Sequence, residues 1–265
     1  MFAFTRTAFF SALLLGALAF VGVACDDDDN PSTQTPTTGK LRFAFENVVG
    51  SQPLAFGQSY TTLDGDAFTV SKFNYFISNI KLTKADGTVW SEPESYHLVK
   101  QAETASRSFE LKDVPSGDYT RLTFTIGVDS ARNVSGAQTG ALDPLNDMFW
   151  SWSSGYIFLK LEGTSPQAQP NGALIFHVGG FRRPNSTIRT VSPAWPAGTT
   201  ALQIKGDKTS ELHLKADVQK LFSGPNTIRF AQMSNTGHSS DPNSVKLANN
   251  YAAGLFRIDH VHLGN

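Results

Sequence analysis

Histidines are the side chains of this sequence best suited to chemistry, and His260 and His262 stand two apart near the end of a strand-like run. Residues i and i+2 of a strand share a face, so both imidazoles should project together, in line with Phe256 and Ile258. Two imidazoles side by side begin a site for copper or zinc. His177 is a third candidate. It follows Leu174, Ile175 and Phe176 and precedes Val178, Gly179 and Gly180, and the paired glycines would let another backbone or a ligand come close to its ring. His238, in a polar loop, is a secondary candidate. His213 shares a strand face with Glu211, Lys215 and Asp217, opposite Leu212 and Leu214, and reads as a solvent-facing side chain; His97 reads the same way.

A second concentration of chemistry lies between Met148 and Tyr156, where Met148, Phe149, Trp150, Trp152 and Tyr156 fall within nine residues. Such a run can plug the end of a β-sandwich. It can also form an aromatic wall over a redox-active ion, with Trp150 or Trp152 against the metal and Met148 as a secondary candidate. The preceding Asp143 and Asp147, with Asp129 and Asn133, lack the spacing of a calcium loop and read as turn caps. Gly-x-Ser-x-Gly, phosphate-binding, His-Glu-x-x-His and dinucleotide motifs do not occur. No nucleophile or acid–base pair declares itself, and the chain reads as a binding protein, not an enzyme.

The elements that must position these groups are short strands. Leu41 to Phe45 and Leu122 to Val128 alternate with period two. Phe73 to Leu82 is also strand-like, but its apolar positions change parity between Ile77 and Ile80, which predicts a bulge near Ser78 and Asn79. Asp86 and Gly87 supply a hairpin turn. Further strands are expected at 96–100, 108–111, 157–161, 174–178, 202–204, 211–216 and 227–230. One helix should start on the N-cap Asp241, with Pro242 first, and stop at Gly254; a shorter turn is expected at 218–222. Many strands with Gly- and Pro-rich connections and no βαβ rhythm predict an all-β fold, an antiparallel β-sandwich with one short C-terminal helix before the last strand.

Residues 1–24 carry one cation, Arg6, then an apolar run too short to span a bilayer, and read as a secretory signal. The sole cysteine, Cys25, follows a small residue where processing would acylate it, the pattern of a bacterial lipoprotein signal; an uncleaved anchor is the alternative. Asp26 to Asp29 and a Thr/Pro/Ser-rich stretch make residues 25–39 a solvated linker, and the folded domain is expected at 40–265. The acidic run after the cysteine resembles the signal that sends Bacteroidetes lipoproteins to the outer face of the outer membrane; the alternative is the periplasm. Loss of Arg6 shifts the formal charge from −1 to −2, which leaves no basic field to attract nucleic acid. With Cys25 acylated, a soft-metal site must manage without thiolate.

Several segments carry a resemblance in one order along the chain. They are Phe73-Asn-Tyr-Phe-Ile-Ser-Asn-Ile-Lys-Leu82, Gly127-Val-Asp129, Gly136-Ala-Gln-Thr-Gly-Ala-Leu-Asp-Pro144, Met148-Phe-Trp-Ser-Trp-Ser-Ser-Gly-Tyr156, Lys160-Leu-Glu-Gly163, Phe176-His-Val-Gly179 and the closing His260-Val-His262. Together they resemble the MbnP-like copper-binding lipoprotein family, in particular its Bacteroidetes-like branch. The resemblance implies an exported protein that binds copper and is associated with copper acquisition. It also implies a di-haem peroxidase-like partner that, in some members, oxidises a tryptophan to kynurenine near the metal. Carried onto this sequence, His177, His260 and His262 become metal ligands, and Trp150 or Trp152 the candidate for modification. The rival reading is a cell-surface adhesion or glycan-binding module without a metal, using Trp90, Trp195 and the loop aromatics as stacking platforms.

Overall fold

The computed structural model describes residues 37–136, 138–238 and 241–264. Cys25, the acidic run and the signal segment lie outside the described residues. The strands are β1 (Thr38–Val49), β2 (Gln52–Pro53), β3 (Tyr60–Thr61), β4 (Ala67–Lys84), β5 (Val89–Ser91), β6 (Tyr96–Lys100), β7 (Ser108–Pro115), β8 (Gly117–Ile126) and β9 (Phe149–Ser151). They continue with β10 (Gly155–Thr164), β11 (Ala173–Gly179), β12 (Arg189–Val191), β13 (Leu202–Ile204), β14 (Thr209–Asp217) and β15 (Phe256–His262). Helices are short: α1 (Ser130–Asn133), α2 (Gln219–Phe222) and α3 (Pro242–Gly254). The protein is the expected all-β sandwich with one helix before its final strand.

One sheet runs β15-β14-β1, with β2 and β7 on the far side of β1. The other is centred on β11-β10-β4-β8-β12, with short strands added along β4, β8 and β10. Period-two alternation explains how they face each other. Leu41, Phe43 and Phe45 of β1 and Leu212 and Leu214 of β14 are buried, while Arg42, Glu46, Glu211 and Lys215 between them point away. From the opposite sheet come Phe73, Tyr75, Leu122, Phe124 and Leu161. Aromatic edges lock the layers: Phe256 meets Tyr75 at 5.2 Å and Phe124 at 5.3 Å, and Phe45 meets Tyr75 at 6.0 Å. Burial of side chains this large contributes about 1.5–3 kcal/mol each.

Three features depart from the sequence expectations. The pairing of β1 with β14 is parallel, from Lys40↔Thr209 to Val48↔Asp217, within an otherwise antiparallel scheme. Residues 227–230 form no strand; they are a loop whose Ile228 and Phe230 are buried. Its place is set by Asp66, which accepts hydrogen bonds from Arg229 Nη2 at 2.7 Å and from the Phe230 amide at 2.8 Å. Finally, the aromatic run covers a sheet face and not the sandwich end. Met148, Leu142, Tyr156 and Phe158 bury a second small core with Phe76, Leu98 and Val128 on the outer side of β4 and β10. Consequently β10 is buried on both faces from Gly155 to Leu161, an otherwise apolar run broken by Lys160.

The β4 bulge falls where parity placed it, between Ser78 and Lys81, with Asn79 at φ 52°. Asp86 and Gly87 turn β4 into β5, Gly87 taking φ 88°. Asp241 caps α3 by accepting from the Asn243 amide at 2.9 Å. Asp129 and Asp143 cap α1 and the turn at 144–146 in the same way.

Candidate metal centre

The centre begins with an irregularity in β15. His262 opposes Glu211, Val261 opposes Leu212 and His260 opposes His213, but Leu214 opposes Ile258. Asp259 is therefore an extra residue, a bulge that absorbs one position. Phe256 and Ile258 point into the core, as alternation requires, and beyond the bulge Val261 packs against the core instead. His260 and His262 are thereby turned to the outer face, not left in line with Phe256 and Ile258 as a regular strand would have them. That face already carries His213, because Leu212 and Leu214 take the inner positions of β14.

The three rings cluster. His213 and His260 stack with centroids 4.1 Å apart at 16°; His262 meets His213 edge-on at 5.2 Å and His260 at 4.8 Å. Among the described residues, one potential ligand atom from each of the three lies within 4.8 Å of the others. Three imidazoles gathered this closely are a donor set that suits copper or zinc. The environment favours the ligating form. Burial pushes the His213 pKa below its ordinary 6.5, the neighbouring His260 and His262 add to the fall, and Glu211 only partly opposes it. Burial would lift the Asp259 carboxyl, yet hydrogen bonds from Lys215, His260 and Arg257 hold it far below the usual range.

His177 is not brought to this cluster. It lies on β11 of the opposite sheet, paired across to Lys160, with Nε2 2.8 Å from Glu162 Oε1. Burial lowers its pKa, against the pull of Glu162. The convergent set exchanges His177 for His213, since a side chain on the outer face of one sheet cannot reach the outer face of the other. The neighbouring glycine serves the aromatic run: a Cβ on Gly179 would stand 2.7 Å from the Trp150 ring. Trp150 lies over that glycine with His238 at 5.6 Å, so His238 faces the indole and not the end of β15. Trp152 is 56 % exposed and packs on Phe149 at 4.9 Å, while Met148 is buried. The aromatic wall and the imidazole cluster thus belong to different sheets.

The loop bearing these aromatics is strapped down by lysines. The Lys160 ammonium, 3 % exposed, reaches Asp147 Oδ2 at 3.0 Å and donates to the Asp147 carbonyl, and Lys72 joins the same carboxylate at 2.9 Å. His97 is stacked on Phe109 at 3.6 Å with Nε2 against the Glu92 carboxylate. Two of the platforms expected of an adhesion module are engaged in packing, while Trp152 stays open. Trp195 donates to the Thr120 carbonyl at 2.7 Å, and both it and Trp90 pack against the main core.

The family model described as MbnP matches residues 38–242. The chain belongs to the MbnP family. A solved structure, MbnP from Methylosinus trichosporium, shares the fold with a TM-score of 0.52 at 14 % identity, covering 85 % of this chain and 98 % of that one. No curated protein matches the chain. The match to the MbnP family ends before His260 and His262, so two of the three clustered imidazoles stand beyond the family's matched segment. Sequence reasoning set His213 aside because its neighbours on one strand are ordinary surface groups. The available signal was the apolar triplet Phe256, Ile258 and Val261, whose broken parity betrays the bulge.

Proposed function

We propose that the protein is an exported copper-binding lipoprotein, active in copper acquisition, that holds the ion through His213, His260 and His262. The observation that carries this reading is the convergence of three imidazoles on one sheet face. Membership of the MbnP family supports copper as the ion, and the cluster fits it: three nitrogen donors without thiolate are an accepted set for copper. The protein acts by binding, not by turnover. Acylation of Cys25 would tether the domain to the outer membrane, with the folded part on the cell surface. Of the two indoles, Trp152 is the one open to a di-haem peroxidase-like partner, and kynurenine formation there would show in the intact mass.

Copper retention after dialysis, measured as metal per chain, tests the site. Replacing His213, His260 and His262 together with alanine should abolish stoichiometric copper, whereas His177→Ala should leave it in place. Undiminished retention in the triple variant would refute the assignment. A glycan-binding role has less support, because Trp90 and Trp195 are both engaged in packing and only Trp152 of the expected platforms is well exposed.

A further inference from the structure

Two carboxylates stand behind the imidazole cluster. Glu211 Oε1 lies 2.8 Å from His213 Nε2, and Asp259 Oδ2 lies 3.0 Å from His260 Nδ1. An ionised carboxylate only accepts hydrogen bonds, so the ring nitrogen facing it must carry the proton. In a neutral imidazole the other nitrogen then has the free lone pair. The free donors are therefore Nδ1 of His213 and Nε2 of His260, a mixed pair set by neighbours that differ on the two strands. Neither carboxylate belongs to the convergent ligand set itself. Asp259 is further pinned, because its other oxygen accepts from Arg257 at 2.7 Å and Lys215 at 3.0 Å. The same bulge residue that turns His260 outward thus supplies the group that orients its ring.

We propose that Glu211 and Asp259 are positioning residues of the copper centre, fixing the tautomers of His213 and His260 so that unprotonated nitrogens face the ion. This rests on the reading of the three histidines as the copper site. Carboxylates in this position orient metal-bound imidazoles and raise their basicity, and their loss typically costs about 10- to 100-fold in affinity.

The test titrates Cu(II) into the purified protein and its Glu211→Ala, Glu211→Gln, Asp259→Ala and Asp259→Asn variants, and reads ring tautomers by nitrogen NMR before copper is added. Glu211→Ala should weaken binding by about 10- to 100-fold and allow His213 to populate both tautomers. Glu211→Gln should recover part of the affinity, because the amide oxygen still accepts. The Asp259 pair should behave likewise at His260. Should Asp259→Ala fail to fold through loss of its Lys215 and Arg257 contacts, the Glu211 variants decide the matter. Wild-type affinity and unchanged tautomers in Glu211→Ala would overturn the proposal. If His213→Ala also binds like the wild type, the copper site is misplaced altogether; if His213→Ala loses copper while Glu211→Ala does not, only the positioning role falls.

Discussion

His213 shows how a member of a side-chain cluster can hide in plain view. Its strand face was read correctly as the outer one, and its companions Glu211 and Lys215 gave no reason to assign it chemistry. What brings it into the imidazole cluster is the strand beside it, contributed by residues well over forty positions later in the chain, and single-strand periodicity carries no information about lateral neighbours. His260 and His262 were legible because their partnership is local. The state of His213 also leads to a prediction. With its pKa lowered by burial and by the adjoining rings, protons compete with copper less than they would at a free imidazole. Copper retention should hold through neutrality and collapse only below the ordinary value of 6.5; dialysis at stepped pH checks this, and a midpoint above that value would contradict it.

At the scale of elements, strands and their turns were readable wherever local pattern dictates them, and two exceptions are instructive. The bulge in β4 was found from a parity break between Ile77 and Ile80, and Val261 signals the β15 bulge by the same logic. A lone valine between two histidines is a weaker mark than the apolar run of β4 on either side of its break. Residues 227–230 have strand-like composition but no partner ladder; the Ile228 amide goes to the Phe222 carbonyl, and the Phe230 amide and Arg229 guanidinium go to Asp66, a long-range contact that composition cannot reveal. Burial would raise the Asp66 pKa, and the Arg229 hydrogen bond and the Phe230 amide pull it below 3.8. A carboxylate with a depressed folded pKa contributes stability that is complete above its unfolded value and is lost as the pH falls through the folded one. Asp66→Ala should therefore cost about 1–3 kcal/mol at neutral pH, chiefly by leaving the buried Phe230 amide unpaired. Chemical denaturation should show this loss together with a flatter acid limb.

For the whole molecule, the sandwich and its helix followed from the density of short strands, while the second small core and the parallel seam between β1 and β14 did not. Nothing in local sequence says that the first strand and a late one will lie side by side. The seam brings β14, and with it β15 and the imidazoles, into the sheet opposite the one that carries the tryptophan loop. Because the imidazole cluster lies wholly within the folded part, membrane attachment and copper retention should separate. Cys25→Ser should move the protein from the membrane fraction to the soluble fraction while leaving its copper content unchanged; fractionation with metal analysis checks both halves.

The seam has a mechanical consequence. Were the domain tethered through Cys25 as proposed, a pull would reach it through β1, which lies between β14 and β7. Force on β1 against a load gripped at the imidazole face would have to shear its long ladders at once, not peel them one bond at a time. Resistance to such loading is governed by the rate of rupture and not by equilibrium stability. A domain loaded in this way resists unravelling from its first strand.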